Sequence, residues 1–173
     1  MRRLVATLDR LADLTGRAVG GLALLLVIVT VSVVLLRYRF DIGSIALQES
    51  VQWLHALLFM LGIAYTYKSG GHVRVDILYG RLSARGRAWI DLIGTMFLLL
   101  PLCIYLLWVG FDEVAASWRE QETSRDAGGL EQVWLLKSVL LAMPLLLFLQ
   151  GIAEFGRALI TLRLPAEPRQ PVP

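Results

Sequence analysis

Four long stretches of this 173-residue chain contain no Asp, Glu, Lys or Arg, and they restrict the fold more than any other feature. They cover residues 18–36, 50–67, 92–111 and 138–153 and contain 19, 18, 20 and 16 residues. At about 1.5 Å per residue, a helix of roughly 20 residues crosses the roughly 30 Å hydrocarbon core of a bilayer. The fourth run gains length if Lys137 extends its ammonium group to the interface. We therefore predict an all-α integral membrane protein with four transmembrane helices, at about 18–36, 47–67, 89–111 and 134–155.

Composition agrees with this class and argues against several others. Hydrophobic residues make up 57% of the chain and charged residues only 18%, whereas soluble domains average about 25% charged residues. The net charge of +3 does not indicate nucleic-acid binding, because the basic residues are distributed along the chain and do not form one patch. The only cysteine, Cys103, lies within the third span and cannot form an intrachain disulfide.

The positions of the basic residues predict the topology. Twelve of them lie before the first span, between the second and third spans, or after the fourth, and only four lie in the other two loops. By the positive-inside rule, both termini and the middle loop are cytoplasmic. The loop at 110–133 has six acidic and two basic residues, so it should face outward. Arg37 and Arg39, just beyond the first span, oppose the rule locally.

The remaining segments have local patterns of their own. Residues 2–16 form an amphipathic stripe, which predicts either an N-terminal interfacial helix or an N-terminal extension of the first span; the pattern leaves both open. Ser83 is placed to cap a helix, and Gly70-Gly71 to end one. We predict one four-helix domain over 1–163 and a disordered, proline-rich tail over 164–173.

Few side chains inside the predicted spans are ionisable or reactive. His55 is the only ionisable group within the uncharged runs apart from the cysteine and tyrosines, and a lone histidine in a span is more often a packing residue than a ligand. Haem ligation would need histidine pairs, and neither a nucleophile with its base nor a metal-ligand spacing occurs. The sequence therefore predicts no enzyme activity, no metal and no cofactor.

Several motifs together resemble the small membrane subunit, of DctQ type, of tripartite ATP-independent periplasmic (TRAP) transporters. They occur in the order Arg37-Tyr38-Arg39-Phe40, Leu47-Gln48-Glu49-Ser50-Val51-Gln52-Trp53, Leu61-Gly62-Ile63-Ala64-Tyr65-Thr66, Gly71-His72-Val73-Arg74-Val75-Asp76, Ser83 to Leu92, Gly128-Gly129-Leu130, Trp134-Leu135-Leu136-Lys137 and Leu149-Gln150-Gly151. The resemblance covers about residues 18–160.

This resemblance implies a function that composition cannot supply. In such systems a periplasmic solute-binding protein delivers a solute, usually an organic acid, to a large membrane subunit that uses an ion gradient and no ATP. The small subunit packs against the large one and extends its scaffold. The resemblance thus implies a multi-pass protein of the bacterial inner membrane, surrounded by lipid, with no substrate-binding residues on this chain. The alternative is a stand-alone four-helix structural or assembly factor without transport.

Residues at the membrane boundaries are the candidates for the interface with these partners. They are Glu49, Trp53, His72, Arg74, Asp76, Trp118 and Lys137. A local interpretation also stands, in which Glu49 pairs with Arg37 or Arg39, and Asp76 caps a short helix or pairs with Arg74. The acidic loop containing Glu120, Glu122 and Asp126 is the candidate surface for the solute-binding protein.

Overall fold

The computed structural model describes residues 2–71, 79 and 82–163. These residues form six α-helices and one π-helical turn: α1 (Arg2–Phe40), α2 (Ile45–Lys68), α3 (Ala84–Gly94), the π turn (Thr95–Leu99), α4 (Leu100–Glu120), α5 (Val133–Lys137) and α6 (Val139–Arg163). The candidates His72, Arg74 and Asp76, and the predicted tail at 164–173, lie outside the described residues.

The N-terminal segment is part of α1 and not a separate interfacial helix. Helix α1 runs for 39 residues without a break, so the prediction of a distinct interfacial helix is wrong and the alternative, an extension of the first span, holds. Val5 and Ala12 are buried, and the two acidic residues of this segment pair with other helices. These contacts hold the segment against the bundle.

Helix ends follow the predicted signals where the structure describes them. The Ser83 hydroxyl accepts the Gly86 N–H at 3.2 Å, and Ser44 does the same for Leu47 at 3.3 Å, so each caps the helix that follows it. Gly70 has a φ of 69° and ends α2, since a residue without Cβ adopts this left-handed conformation at no steric cost. The predicted cap at Ser83 and the predicted helix end at the glycine pair are both confirmed.

The third long segment is helical from Ala84 to Glu120, well past the predicted span end at 111. The π turn lies just before Pro101, whose ring nitrogen has no hydrogen to donate. Just before it, the Leu100 N–H donates to the Thr95 carbonyl, five residues back and not the four of an α-helix, which is the pattern of a π bulge. Helices α5 and α6 form the fourth long segment, interrupted only at Ser138.

Helices α1 and α2 pack antiparallel, and so do α4 and α6. Gly16 and Val19 of α1 lie against Tyr65 and Gly62 of α2, and Gly110 and Gly151 mark close contacts between α4 and α6. Asp9 of α1 bonds Arg157 of α6, so the beginning of the first helix and the end of the last lie at the same end of the bundle. We call this the terminal end; the opposite end, with residues 41–44 and 121–132, is the loop end.

Three of the helical segments are long and apolar enough to cross a membrane: Arg2–Phe40, Ala84–Glu120 and Val133–Arg163. Helix α2, predicted to be the second span, is not among them. The exposed faces of the first and third segments are strongly apolar and include Leu24, Ile28, Phe97 and Trp108. Such faces are unfavourable in water and fit contact with lipid or with another membrane protein.

Candidate functional site

Glu49 closes the loop end of the bundle. Its carboxylate accepts hydrogen bonds from the Leu130 N–H at 2.6 Å and from the Ser124 hydroxyl. Helix α2 is thereby fixed to the 121–132 loop, which is 75 or more residues away along the chain. The local alternative at Glu49 is wrong, since neither Arg37 nor Arg39 is its partner among the described residues.

Gly128-Gly129-Leu130 is shaped to receive this carboxylate. Gly128 has a φ of 82°, a conformation that residues with a Cβ adopt only with strain. A Cβ on Gly129 would lie 2.6 Å from Glu49 Oε1, so only glycine lets the loop backbone approach. Two separate fragments of the motif series, at 47–53 and 128–130, therefore form one structural unit.

Lys137 holds the same loop from the other side. Its ammonium donates to Glu113 of α4 at 2.6 Å and lies 2.6 Å from a carboxylate oxygen of Glu122 in the loop. The hydrogen bond from Lys137 lowers the pKa of Glu122 below its ordinary value. Both cation and anion are only partly buried, so this cluster positions the loop more than it stabilises the fold.

The two tryptophan candidates differ in accessibility. Trp53 is half-buried and lines an open groove with Glu49, Lys137 and residues 122–126 of the loop. Trp118 is 45% exposed, stacks edge-on against Trp134 at 4.4 Å, and donates its indole N–H to Ser138 Oγ at 2.8 Å. The structure therefore brings Glu49, Trp53 and Lys137 together around one groove, while Trp118 lies on the α5 side of the loop end.

The terminal end has a cluster of charges that sequence reasoning did not identify as a unit. Asp9 accepts two hydrogen bonds from Arg157, at 2.8 and 2.7 Å, and a third from Gln150 at 3.2 Å. Arg157 also pairs with Glu154, and Lys68 of α2 bonds Asp13 at 2.6 Å. Three helices are joined here, and Gln150, only 1% exposed, is at the centre. Sequence spacing could not reveal this cluster, because Asp9 and Asp13 are more than 50 residues away from their partners on the other helices.

His55 is not a buried packing residue. It is exposed on α2, with its ring 4.8 Å from that of Phe59. Gln48 and Gln52 are exposed on the same helix, and sequence reasoning passed over them. Their spacing of three and four residues within a largely apolar segment is the signal that could have identified them.

The polar clusters of the described residues hold helices and the loop end together. Within residues 2–71, 79 and 82–163, no three His, Cys, Asp or Glu side chains are close enough together to hold a metal ion. Apolar outer faces, long antiparallel helices and polar groups concentrated at the two ends define a helical membrane protein.

Comparison with known proteins identifies the family. The family described as tripartite ATP-independent periplasmic transporters, DctQ component, matches residues 26–161, and the chain belongs to it. A Haemophilus influenzae protein assigned by name to the TRAP transporter small permeases is 33% identical over 94 residues. That alignment spans 52% of this chain and 56% of the relative. No solved structure matches the chain.

Proposed function

We propose that this chain is the small permease subunit of a TRAP secondary transporter, and that it packs against the large membrane subunit and extends its scaffold. The solute, an organic acid, is delivered by a periplasmic solute-binding protein and taken up with an ion gradient. The observation that carries the proposal is the match to the DctQ component over residues 26–161. The distribution of polar groups supports it, because the described ionisable clusters lie at the ends of the bundle and trace no ion path through it.

The proposed location is the bacterial inner membrane, crossed four times with both termini in the cytoplasm. Helix α2 is the fourth span besides the three apolar segments: its 24 residues are long enough, and it packs between α1 and α6. The terminal end carries most of the basic residues and the loop end the acidic loop, which the positive-inside rule interprets as inside and outside. A cysteine introduced at exposed position 126 should react with a membrane-impermeant thiol reagent in intact cells, and one at position 163 only after lysis.

Uptake by reconstituted protein tests the function. The chain would be co-expressed with the large membrane subunit that it is proposed to bind, and the purified proteins would be reconstituted into proteoliposomes with the solute-binding protein and an imposed sodium or proton gradient. We expect uptake of organic acids only when all three polypeptides are present. Full uptake without this chain would contradict the proposal, and a chain that never co-purifies with the large subunit would favour the stand-alone structural role.

The interface role of Glu49, Trp53, His72, Arg74, Asp76, Trp118 and Lys137 stays a prediction. Glu49 and Lys137 would act on a partner indirectly. Their charged groups bind the 121–132 loop and would thereby shape the surface that the loop offers. Alanine substitution of Trp53 or Trp118 should reduce recovery of the large subunit without disturbing those charges. Recovery equal to that of the unmodified chain would count against both residues.

For the solute-binding protein, the loop residues to change are Glu120 and Asp126. Both are exposed, and neither is in a salt bridge among the described residues, whereas Glu122 is tied to Lys137. Reversal of Glu120 and Asp126 to lysine should weaken receptor-dependent uptake, and more strongly at low ionic strength. Uptake that does not change at any salt concentration would remove the loop as the docking surface.

A further inference from the structure

Helix α2 exposes a line of hydrogen-bonding side chains along its outer face. Gln48, Gln52 and His55 are all exposed and are spaced by four and three residues, so they share one side of the helix. Phe59, 64% exposed, continues the line by another turn. We call Gln48, Gln52 and His55 the α2 polar stripe, with Phe59 as their apolar neighbour on the same face.

The corresponding faces of the other long helices are different in character. Along α1 the exposed side chains in the middle of the uncharged run include Leu24, Ile28 and Val31, and around the π turn and α4 they include Phe97 and Ile104. Those faces suit hydrocarbon. An amide or an imidazole needs hydrogen-bonding partners, which lipid chains do not supply, so it is costly there.

The stripe stays exposed although it borders contacts that α2 makes: Gln48 lies beside α1 at the loop end, and Gln52 lines the groove with Glu49 and the 122–126 loop. Helix α2 meets α1 through Gly62 and Tyr65, and it is fixed to the 121–132 loop through Glu49. The packing of the described residues therefore leaves the side chains of Gln48, Gln52 and His55 uncovered.

We propose that the α2 polar stripe seats a transmembrane helix of the large membrane subunit that presents hydrogen-bonding and small side chains. Glutamine and histidine can both donate and accept, so they match serine, threonine, asparagine or backbone groups on such a helix. The inference rests on the proposed function, since it locates the interface of that complex on this chain. It also fits the finding that α2 is not among the segments apolar enough to cross a membrane, since its outer face would meet protein and not lipid.

Crosslinking in the assembled complex tests the location. A photoreactive benzoylphenylalanine would replace Gln52 or His55, with Leu24 and Ile28 on the exposed face of α1 as matched control positions. We expect crosslinks to the large subunit from 52 and 55, and lipid adducts from 24 and 28. Crosslinks to the large subunit from α1 alone, or from α2 only to lipid or to a second copy of this chain, would overturn the proposal.

Substitution tests the hydrogen bonding separately from folding. Gln52→Leu and His55→Leu make α2 more apolar, so the chain should insert and stay folded at least as well as before. Recovery of the large subunit should nevertheless fall, by about threefold for each change, the effect of one average interhelical hydrogen bond. Gln52→Asn, which keeps the amide, should retain more of the recovery than Gln52→Leu.

The same experiment separates this inference from the proposed function. If the unmodified chain co-purifies with the large subunit and the leucine variants do so equally well, the stripe is not the interface although the complex exists. If the unmodified chain does not co-purify at all, the proposed function fails and the inference with it. Melting of each purified variant, followed by the reactivity of buried Cys103, confirms that any loss is not a folding defect.

Discussion

Gly16 and Gly20 offer a matched pair of substitutions on one face of α1. They are spaced as in a helix-association motif, but the structure gives them different surroundings. A Cβ on Gly16 would lie 3.0 Å from Tyr65 Cβ and closer still to the ring, whereas a Cβ on Gly20 would meet no atom within 4 Å. Alanine at the two positions should therefore have opposite effects on stability.

The magnitudes follow from two competing terms. Alanine is favoured over glycine inside a helix by about 1 kcal/mol, and this gain applies at both positions. At position 16 overpacking opposes it with about 1–3 kcal/mol, because Tyr65 Cβ is attached to the backbone and cannot rotate away. Gly16→Ala should thus be about 1–3 kcal/mol less stable than Gly20→Ala. Separation of α1 from α2 would also lengthen the 2.6 Å contact between Lys68 and Asp13.

The single cysteine provides the assay. Cys103 is 0% exposed, so a thiol-reactive dye reports when the bundle opens as the purified protein is heated in detergent. We expect a lower midpoint for Gly16→Ala than for the unmodified chain, and a higher one for Gly20→Ala. Equal midpoints for the two variants would refute the close approach of α1 and α2.

Three further predictions concern the clusters at the two ends. Gly129→Ala should speed hydrogen exchange across the 121–132 loop, because its Cβ would displace the carboxylate that holds the loop; unchanged exchange would contradict this. The pKa of Glu122 is lower in the folded chain than its ordinary value of 4.5. The stabilisation that its charged carboxylate gives the folded loop is therefore complete above pH 4.5 and is lost as the pH falls below that value. Loop exchange should therefore rise in acid, and Glu122→Gln or Lys137→Met should reduce that pH dependence, the remainder coming from protonation of the Glu49 carboxylate that binds the same loop. Arg157→Met should lower stability by about 1–3 kcal/mol, less than for a fully buried pair because the guanidinium is one-third exposed. Additive effects of Arg157→Met and Asp9→Asn in a double-mutant cycle would show that the two do not interact.

Local signals in the sequence were reliable where the physics is local. Ser83 caps its helix and Gly70 ends another because those effects depend on the backbone within one or two turns. The extent of the helices was less predictable: helicity continues to Glu120 although the uncharged run ends at 111, since charged residues extend a helix beyond the bilayer as readily as apolar ones.

Pairing between distant residues could not be predicted in the same way. The sequence indicated that Glu49 and Lys137 are at a boundary, but it did not show that both hold the 121–132 loop. It singled out Gly128-Gly129-Leu130 only as a motif, whereas its backbone is the receptor for Glu49. These contacts join helical residues to a loop, and those of Glu49 are 75 or more residues apart along the chain, so no local spacing pattern encodes them.

The sequence by itself determined that this protein is helical, that it belongs in a membrane, and which transporter family it joins. Long uncharged runs dictate the first two, because buried backbone groups in lipid must bond within a helix. Only the tertiary structure decided which polar groups form hydrogen bonds or ion pairs within the protein and which remain exposed on its outer surface. Asp9 and Arg157 bond each other across two helices and Glu49 bonds the 121–132 loop, while Gln52 and His55 face outward, because the packing of α1, α2 and α6 fixes the rotation of each helix about its axis.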